Sequence, residues 1–341
     1  MKLAKMLASI LLLVAIGVEI AAASAWTPLP SLPAPRWLAR AERSGDKVYV
    51  IGGGDDAVST VFVMDLATWT WSAAAPLPEA RAFLLSGVIS GKIYVVGGAA
   101  SGPVARATGW VYDPATNVWT PIAPLPQTRM AATCAVAGGR LIVFSGETFS
   151  GAPPASDVYL YDPATDSWYD GAPIHTPRKL AAAVAIGNRI VVAGGHASVS
   201  AVSDMLDTVE IYDVLTDTWS VAPSLPMPMT GAALVESGGR AFVLGGIGPV
   251  WSPPRTDVNS LRPGDRAWRE EPPIPAGSYA SSAVASPSGS VILIGGNSGN
   301  TALAGVYEWT FAPDIVSVSD VPNDQGGRLV VRWTASFLDR V

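Results

Sequence analysis

Val158-Tyr159-Leu160-Tyr161-Asp162-Pro163-Ala164-Thr165-Asp166-Ser167-Trp168 is the stretch on which the reading of the whole chain turns. Its first four residues suit a short strand. Asp-Pro-x-Thr then makes a tight turn, with proline fixing φ and the Asp and Thr side chains bonding the local backbone. Trp168 follows in the next strand, where so large a ring is expected to be buried between neighbouring sheets. The pattern recurs: Trp71, Trp119 and Trp219 each stand three residues after a threonine, in Asp65 to Thr68, Asp113 to Thr116 and Asp213 to Thr216. Trp268 keeps the register with Arg262 and Asp265 in the turn positions.

A second landmark keeps step with the first. A doublet ends a β-branched run at Gly52-Gly53, Gly97-Gly98, Ser145-Gly146, Gly194-Gly195, Gly245-Gly246 and Gly295-Gly296, at spacings of 45, 48, 49, 51 and 50 residues. Two glycines permit backbone torsions and a close approach that a Cβ would block. Small residues crowd the strand before each run, as in Ala131-Ala132-Thr133 and Ala181-Ala182-Ala183, which suits the cramped edge nearest a central axis. Each period therefore holds four strands: a small-residue strand, a β-branched one such as Lys92-Ile93-Tyr94-Val95-Val96, the strand before the turn, and the tryptophan strand. No helical period competes. One such sheet cannot bury both faces alone, so the units must close radially, and the expected fold is an all-β, six-bladed propeller over residues 26–313.

The sixth unit has Val306-Tyr307-Glu308-Trp309 but no tryptophan strand after it. Trp26-Thr27-Pro28-Leu29-Pro30 reads like Trp119-Thr120-Pro121-Ile122-Ala123, so residues 26–30 should supply the missing outer strand. Trp26 then completes a series of six tryptophans spaced 45, 48, 49, 51 and 49 residues apart. Gly-Gly after the second strand, Tyr-Asp, and Asp-x-x-Thr-x-x-Trp, all recurring in register, resemble kelch repeats from residue 26 to about 313.

The flanks read differently. Lys2 and Lys5, the apolar run from Met6 to Val18, and Ala23-Ser24-Ala25 read as a signal peptide over residues 1–25. An exported chain is expected, periplasmic, cell-surface or extracellular, with no membrane insertion after cleavage. From Asp314 the period is lost, and alternating Leu329, Val331 and Trp333 resemble the opening of a fibronectin type III-like β-sandwich over residues 314–341. A whole sandwich needs about 100 residues, so this one is expected to be truncated, and the propeller to be a monomeric unit of a longer multidomain chain.

Composition excludes several classes. Of 341 residues, 34 are glycine and 29 proline, which marks a turn-rich globular chain; a net charge of −6 gives no electrostatic reason to expect nucleic acid or an anionic membrane as partner. One cysteine, Cys134, cannot close an intrachain disulfide, and with two histidines it excludes a Cys/His zinc cluster. The sequence holds no Gly-x-Ser-x-Gly elbow, phosphate-binding Gly-Lys-Ser or His-Glu-x-x-His. No cofactor is implied.

Strand direction alternates within a blade, so the loop after each doublet and the loop entering the next first strand share one face, the candidate ligand face. Arginine recurs 16 residues before the doublet, as Arg36, Arg81, Arg129 and Arg178, with Met229 in that slot of blade five and, allowing one inserted residue in its hairpin, Ser278 in blade six. Four guanidiniums around the channel mouth would bind carboxylates or acidic sugars; the alternative is that they tie loops together. Asp55, Asp56, Glu147, His196, Trp251, Asn297 and Asn300 fall on the same loops, a mixture that suits a glycan or peptide. Trp251 lies outside the tryptophan register and is a candidate for stacking on a sugar or covering its loop, whereas Trp37 and Tyr279 read as blade packing. His175 and His196 find no obvious third metal ligand. Bacterial sialic acid mutarotases of the kelch type share the size and the exported address but carry long insertions that this chain lacks. The leading expectation is a non-enzymatic module that binds a glycan or protein through Arg36, Arg81, Arg129, Arg178, Glu147, His196 and Trp251. The alternatives are a mutarotase or epimerase using Arg129, Arg178, Glu147 or His196, and a rigid spacer.

Overall fold

The computed structural model describes residues 26–101, 104–198, 204–249, 253–311, 315–320 and 329–333. The signal segment and Trp251 lie outside them. The chain forms six four-stranded antiparallel sheets, as the repeat predicts. Blade three shows the pattern: Thr133–Ala137 innermost, then Arg140–Phe144, Val158–Asp162 and Ser167–Gly171.

The hydrophobic core of the described residues is divided into six clusters, one at each junction between neighbouring blades, and a small seventh of Ala99, Ala105 and Met130. Leu85, Tyr94 and Val96 of blade two meet Leu141, Val143 and Tyr161 of blade three, for example, and Val50 and Met64 of blade one meet Ile292 and Val306 of blade six. Sheets that cannot cover themselves cover one another, and burial of this kind stabilises by about 25 cal/mol per Å².

The ring closes where the tryptophan series places it. Trp26–Leu29 pairs antiparallel with Val306–Trp309 as the outermost strand of blade six, with Trp26 opposite Trp309. Their rings stack at 5.6 Å, and Trp309 is 1% exposed beneath that cover.

The turn chemistry follows expectation with two corrections. Asp162 Oδ1 accepts the Ala164 amide at 2.9 Å, and Asp65, Asp113 and Asp213 act in the same way. The threonine, however, bonds a hydroxyl at the start of the next strand rather than backbone: Thr68 with Thr70 at 2.8 Å, Thr165 with Ser167 and Thr216 with Thr218 at 2.7 Å. The register tryptophans are half-buried rather than enclosed, because each turns its indole edge to the preceding blade. Trp71, Trp119, Trp168, Trp219 and Trp268 donate Nε1–H to the carbonyls of Pro30, Ala75, Ala123, Ala172 and Pro223 at 2.8–2.9 Å. Trp26 completes the circuit onto Pro272 at 3.3 Å.

Ile315–Asp320 and Leu329–Trp333 are strands that pair antiparallel, with a register irregularity between Ile315 and Ser317.

Candidate functional site

The doublet loops and the linkers into the next blade do share a face, joined by bridges such as Val58 to Arg81, Met130 to Glu147, Lys179 to His196 and Tyr279 to Asn297. The second glycine of each doublet makes that junction. Gly53, Gly98, Gly146, Gly195, Gly246 and Gly296 donate N–H to the carbonyls of Arg81, Arg129, Arg178, Met229, Ser278 and Arg36 at 2.7–3.0 Å. These are the six slots of the arginine series. A Cβ on Gly53 would fall 2.6 Å from the Trp37 carbonyl oxygen, so no other residue fits.

Two positions after each slot the backbone turns left-handed, at Leu38, Phe83, Ala131, Leu180, Gly231 and Ala280, with φ of 52–63°. The strain, about 1 kcal/mol for each non-glycine residue, is offset by amide bonds running from blade to blade. Leu38 donates to Ala280, Phe83 to Leu38, Leu180 to Ala131, Gly231 to Leu180 and Ala280 to Gly231, at 2.7–3.1 Å. The face is built on a stiff backbone collar.

The arginines are not arranged as free cations around the channel mouth. Arg81, Arg129 and Arg178 have side chains 0% exposed, each folded into its own blade. Arg81 Nη1 donates to the Gly97 carbonyl at 2.8 Å, its Nη2 bonds Glu79, and the guanidinium lies 4.9 Å over the Trp110 ring. Arg129 pairs with Asp157 and lies 5.3 Å over Tyr159. Arg178 bonds the Gly194 and Thr208 carbonyls and the buried Glu210 carboxylate. Arg36 alone of the four keeps an exposed head, held by Thr60 Oγ1 at 2.7 Å and Phe62 at 5.0 Å. The shared partner is the second residue of each third strand: Phe62, Trp110, Tyr159 and Glu210. Its aromatic or acidic character was the missed signal that the slot arginine engages its own blade, with Arg81, Arg129 and Arg178 buried there and the head of Arg36 left exposed.

Two other candidates are brought together. Lys179 Nζ bonds the Glu147 carboxylate across blades three and four, and Lys179 is paired in backbone with His196. Burial pulls the His196 imidazole below its ordinary range, assisted by the Lys179 charge and opposed by Asp204 and Glu147. Sequence reasoning overlooked Lys179 because Arg178 beside it carried the register. Phe149, two residues beyond Glu147 in the same loop, is 63% exposed and was also missed. Trp37 and Tyr279 meet edge to face at 5.8 Å where blade six joins blade one, as packing residues. Asn297 Oδ1 caps the Gly299 amide at 2.7 Å, and Asp55 and Asp56 are exposed. Exposed His175 contacts Glu210 at 3.2 Å. Among the described residues no group of three His, Cys, Asp or Glu side chains is placed to hold a metal ion.

The profile of the KLHDC2/KLHL20/DRC7 Kelch-repeats domain matches residues 20–173 and 123–296. The chain belongs to the kelch-repeat family. Kelch-like protein terF of Aspergillus terreus is 40% identical over 78 residues, 21% of this chain and 17% of that protein. Kelch-like protein 40a of Danio rerio is 35% identical over 82 residues, 22% of this chain and 13% of that protein. The kelch chain thus spans less than a fifth of the length of these curated relatives. The solved structure entitled "Structure of YjhT" superposes with a TM-score of 0.73 at 17% identity, over 89% of this chain and 99% of that one, and so shares the propeller fold. Kelch propellers are in general protein-binding modules.

Proposed function

We propose that this chain is an exported kelch binding module whose loop face engages a partner protein. One observation carries the reading: Phe149 stands 63% exposed two residues from the Lys179–Glu147 ion pair, on a face whose backbone is locked by the collar. An exposed aromatic side chain beside charged and hydrogen-bonding groups is the composition that protein-recognition surfaces favour. A glycan is the second ligand class for the same face, for which Asp55, Asp56 and Arg36 offer hydrogen bonds. The mutarotase reading loses two of its residues, since Arg129 and Arg178 are already engaged within their blades. Export rests on the Lys2 to Ala25 segment, and a place in a longer chain on the resemblance of residues 314–341 to a fibronectin type III-like opening.

The test is a photo-crosslinking residue at position 149, with position 215, an exposed leucine in a turn on the opposite face, as control. Protein binding predicts one dominant adduct from the host envelope or medium at 149, lost in Lys179→Glu and absent at 215. Glycan-array binding lost in Phe149→Ala, without a protein adduct, would move the assignment to a glycan. Neither signal would leave a rigid spacer. Export is checked separately by N-terminal sequencing of the processed protein, which should begin at Trp26.

A further inference from the structure

The innermost strands of all six blades surround a channel of about 330 Å³. Its wall is mostly alanine and valine, as a cramped axis requires, with Ser86, Ser281, Ser282, Arg43 and Glu236 as polar members besides Arg40 and Glu42. Two residues on from each left-handed collar residue the innermost strands hold Leu85, Thr133, Ala182, Ala233 and Ser282 in blades two to six, and four residues on they hold Gly87, Ala135, Val184, Val235 and Val284. Blade one breaks both series, with Arg40 and Glu42. Two charges at positions that the other five blades leave uncharged are a local violation of the repeat, and such violations concentrate where function is.

Both groups keep unused hydrogen-bonding capacity, unlike the slot arginines. Arg40 Nε donates to the Leu84 carbonyl at 3.1 Å, while its two terminal nitrogens have no protein partner among the described residues. Glu42 accepts the Ser86 hydroxyl on one oxygen at 2.7 Å; the other has none. As residues i and i+2 of one strand they share a face, about 7 Å apart along the backbone. Burial pushes the Glu42 carboxyl above the ordinary carboxylate range, against the pull of Ser86 and Arg40, so an arriving cation would be welcome. The facing wall is alanine, valine and Leu234 from Ala181 to Ala285, with Ser281, Ser282 and Glu236 beside them, the Glu236 carboxylate accepting the Gly239 amide at 2.8 Å.

We propose that the channel is a binding site for a small zwitterionic amino acid, its carboxylate on the Arg40 guanidinium, its ammonium on Glu42, and its apolar side chain on the alanine and valine wall. A guanidinium clasps a carboxylate through paired, charge-assisted hydrogen bonds, and the volume falls in the small-ligand class. The site is separate from the loop face and stands or falls independently of it.

The chain's single cysteine supplies the readout. Cys134 lines the same channel, with its Sγ bonded to the Ser86 carbonyl at 3.2 Å, and burial raises its thiol to about 11, so modification is slow enough to time. The experiment measures the rate of Cys134 modification by methyl methanethiosulfonate at mildly alkaline pH, with L-valine, 3-methylbutanoate or 2-methylpropylamine present. L-valine should slow the reaction about tenfold at saturation and titrate calorimetrically to one site, and each single-charge analogue should bind at least about tenfold more weakly. Arg40→Gln and Glu42→Gln should each abolish protection while leaving the melt within a few degrees. Equal rates with and without L-valine and every other standard amino acid overturn the proposal, as does protection by 3-methylbutanoate equal to that by L-valine. If either variant fails to fold, the three-probe comparison on the parent protein decides.

Discussion

Arg178 and Glu210 show what the recurring guanidinium does: its backbone carbonyl is held by the doublet of one blade while its side chain is buried in the next. Removing one partner leaves a buried charge without its counterion, so Arg178→Met should cost about 3–5 kcal/mol in urea unfolding, and Arg178→Met with Glu210→Met should regain most of that loss. An unchanged midpoint for the single variant would mean the arginine is free for a ligand after all. The spacing of this arginine was legible in the sequence, but its direction was not, because a period fixes position along a strand and says nothing of which neighbour a long side chain seeks. The aromatic or acidic residue opposite was needed to see it. Glu42 gives a pH prediction at the same scale. Its folded pKa is raised from an ordinary 4.5, so the native state holds the proton more tightly and stability falls as pH rises from the unfolded toward the folded value. Glu42→Gln should therefore melt higher than the parent at neutral pH and converge with it below about pH 4, as followed by thermal scans.

In blades two, three and four the turn before the tryptophan strand ties its own blade to the one before. In blade three Asp166 adopts a left-handed φ of 46° and accepts both the Tyr161 hydroxyl at 2.6 Å and the Ala123 amide of blade two at 2.8 Å. Asn117 holds the same two bonds in blade two, to Tyr112 and the Ala75 amide, both at 2.8 Å. An amide oxygen therefore suffices. Asp166→Ala should cost about 1–2 kcal/mol and Asp166→Asn far less, measured by chemical unfolding. Legibility at this scale is high where torsion is the constraint, as in the glycine doublets. Ser145 replaces a first glycine because it tolerates the left-handed torsion and its hydroxyl accepts the Arg178 amide at 2.7 Å. The cross-blade bonds were invisible because they join residues some 45 positions apart.

At the scale of the ring, closure rests on four residues. Deleting residues 26–30 would remove the cover from Trp309 and Val306 and the carbonyl that Trp71 bonds, a loss of about 5 kcal/mol or more. The melting temperature should fall by about 10 °C or more, and an unchanged calorimetric transition would refute the clasp. This closure was readable because a strand missing at one end reappeared as a surplus phrase at the other. The charged pair in the channel was not weighed, since the eye passes over single departures within a strand of small residues. The clasp also decides how the molecule carries load. Trp26 and Trp309 are directly opposite in one strand pair. Tension applied between residue 26 and residue 309 therefore meets four residues of ladder and never travels through the other five blades. The pairing is a mechanical fuse: pulled hard, it unzips from the tryptophan end, opens one blade and spares the rest, ready to reseal when the force is released.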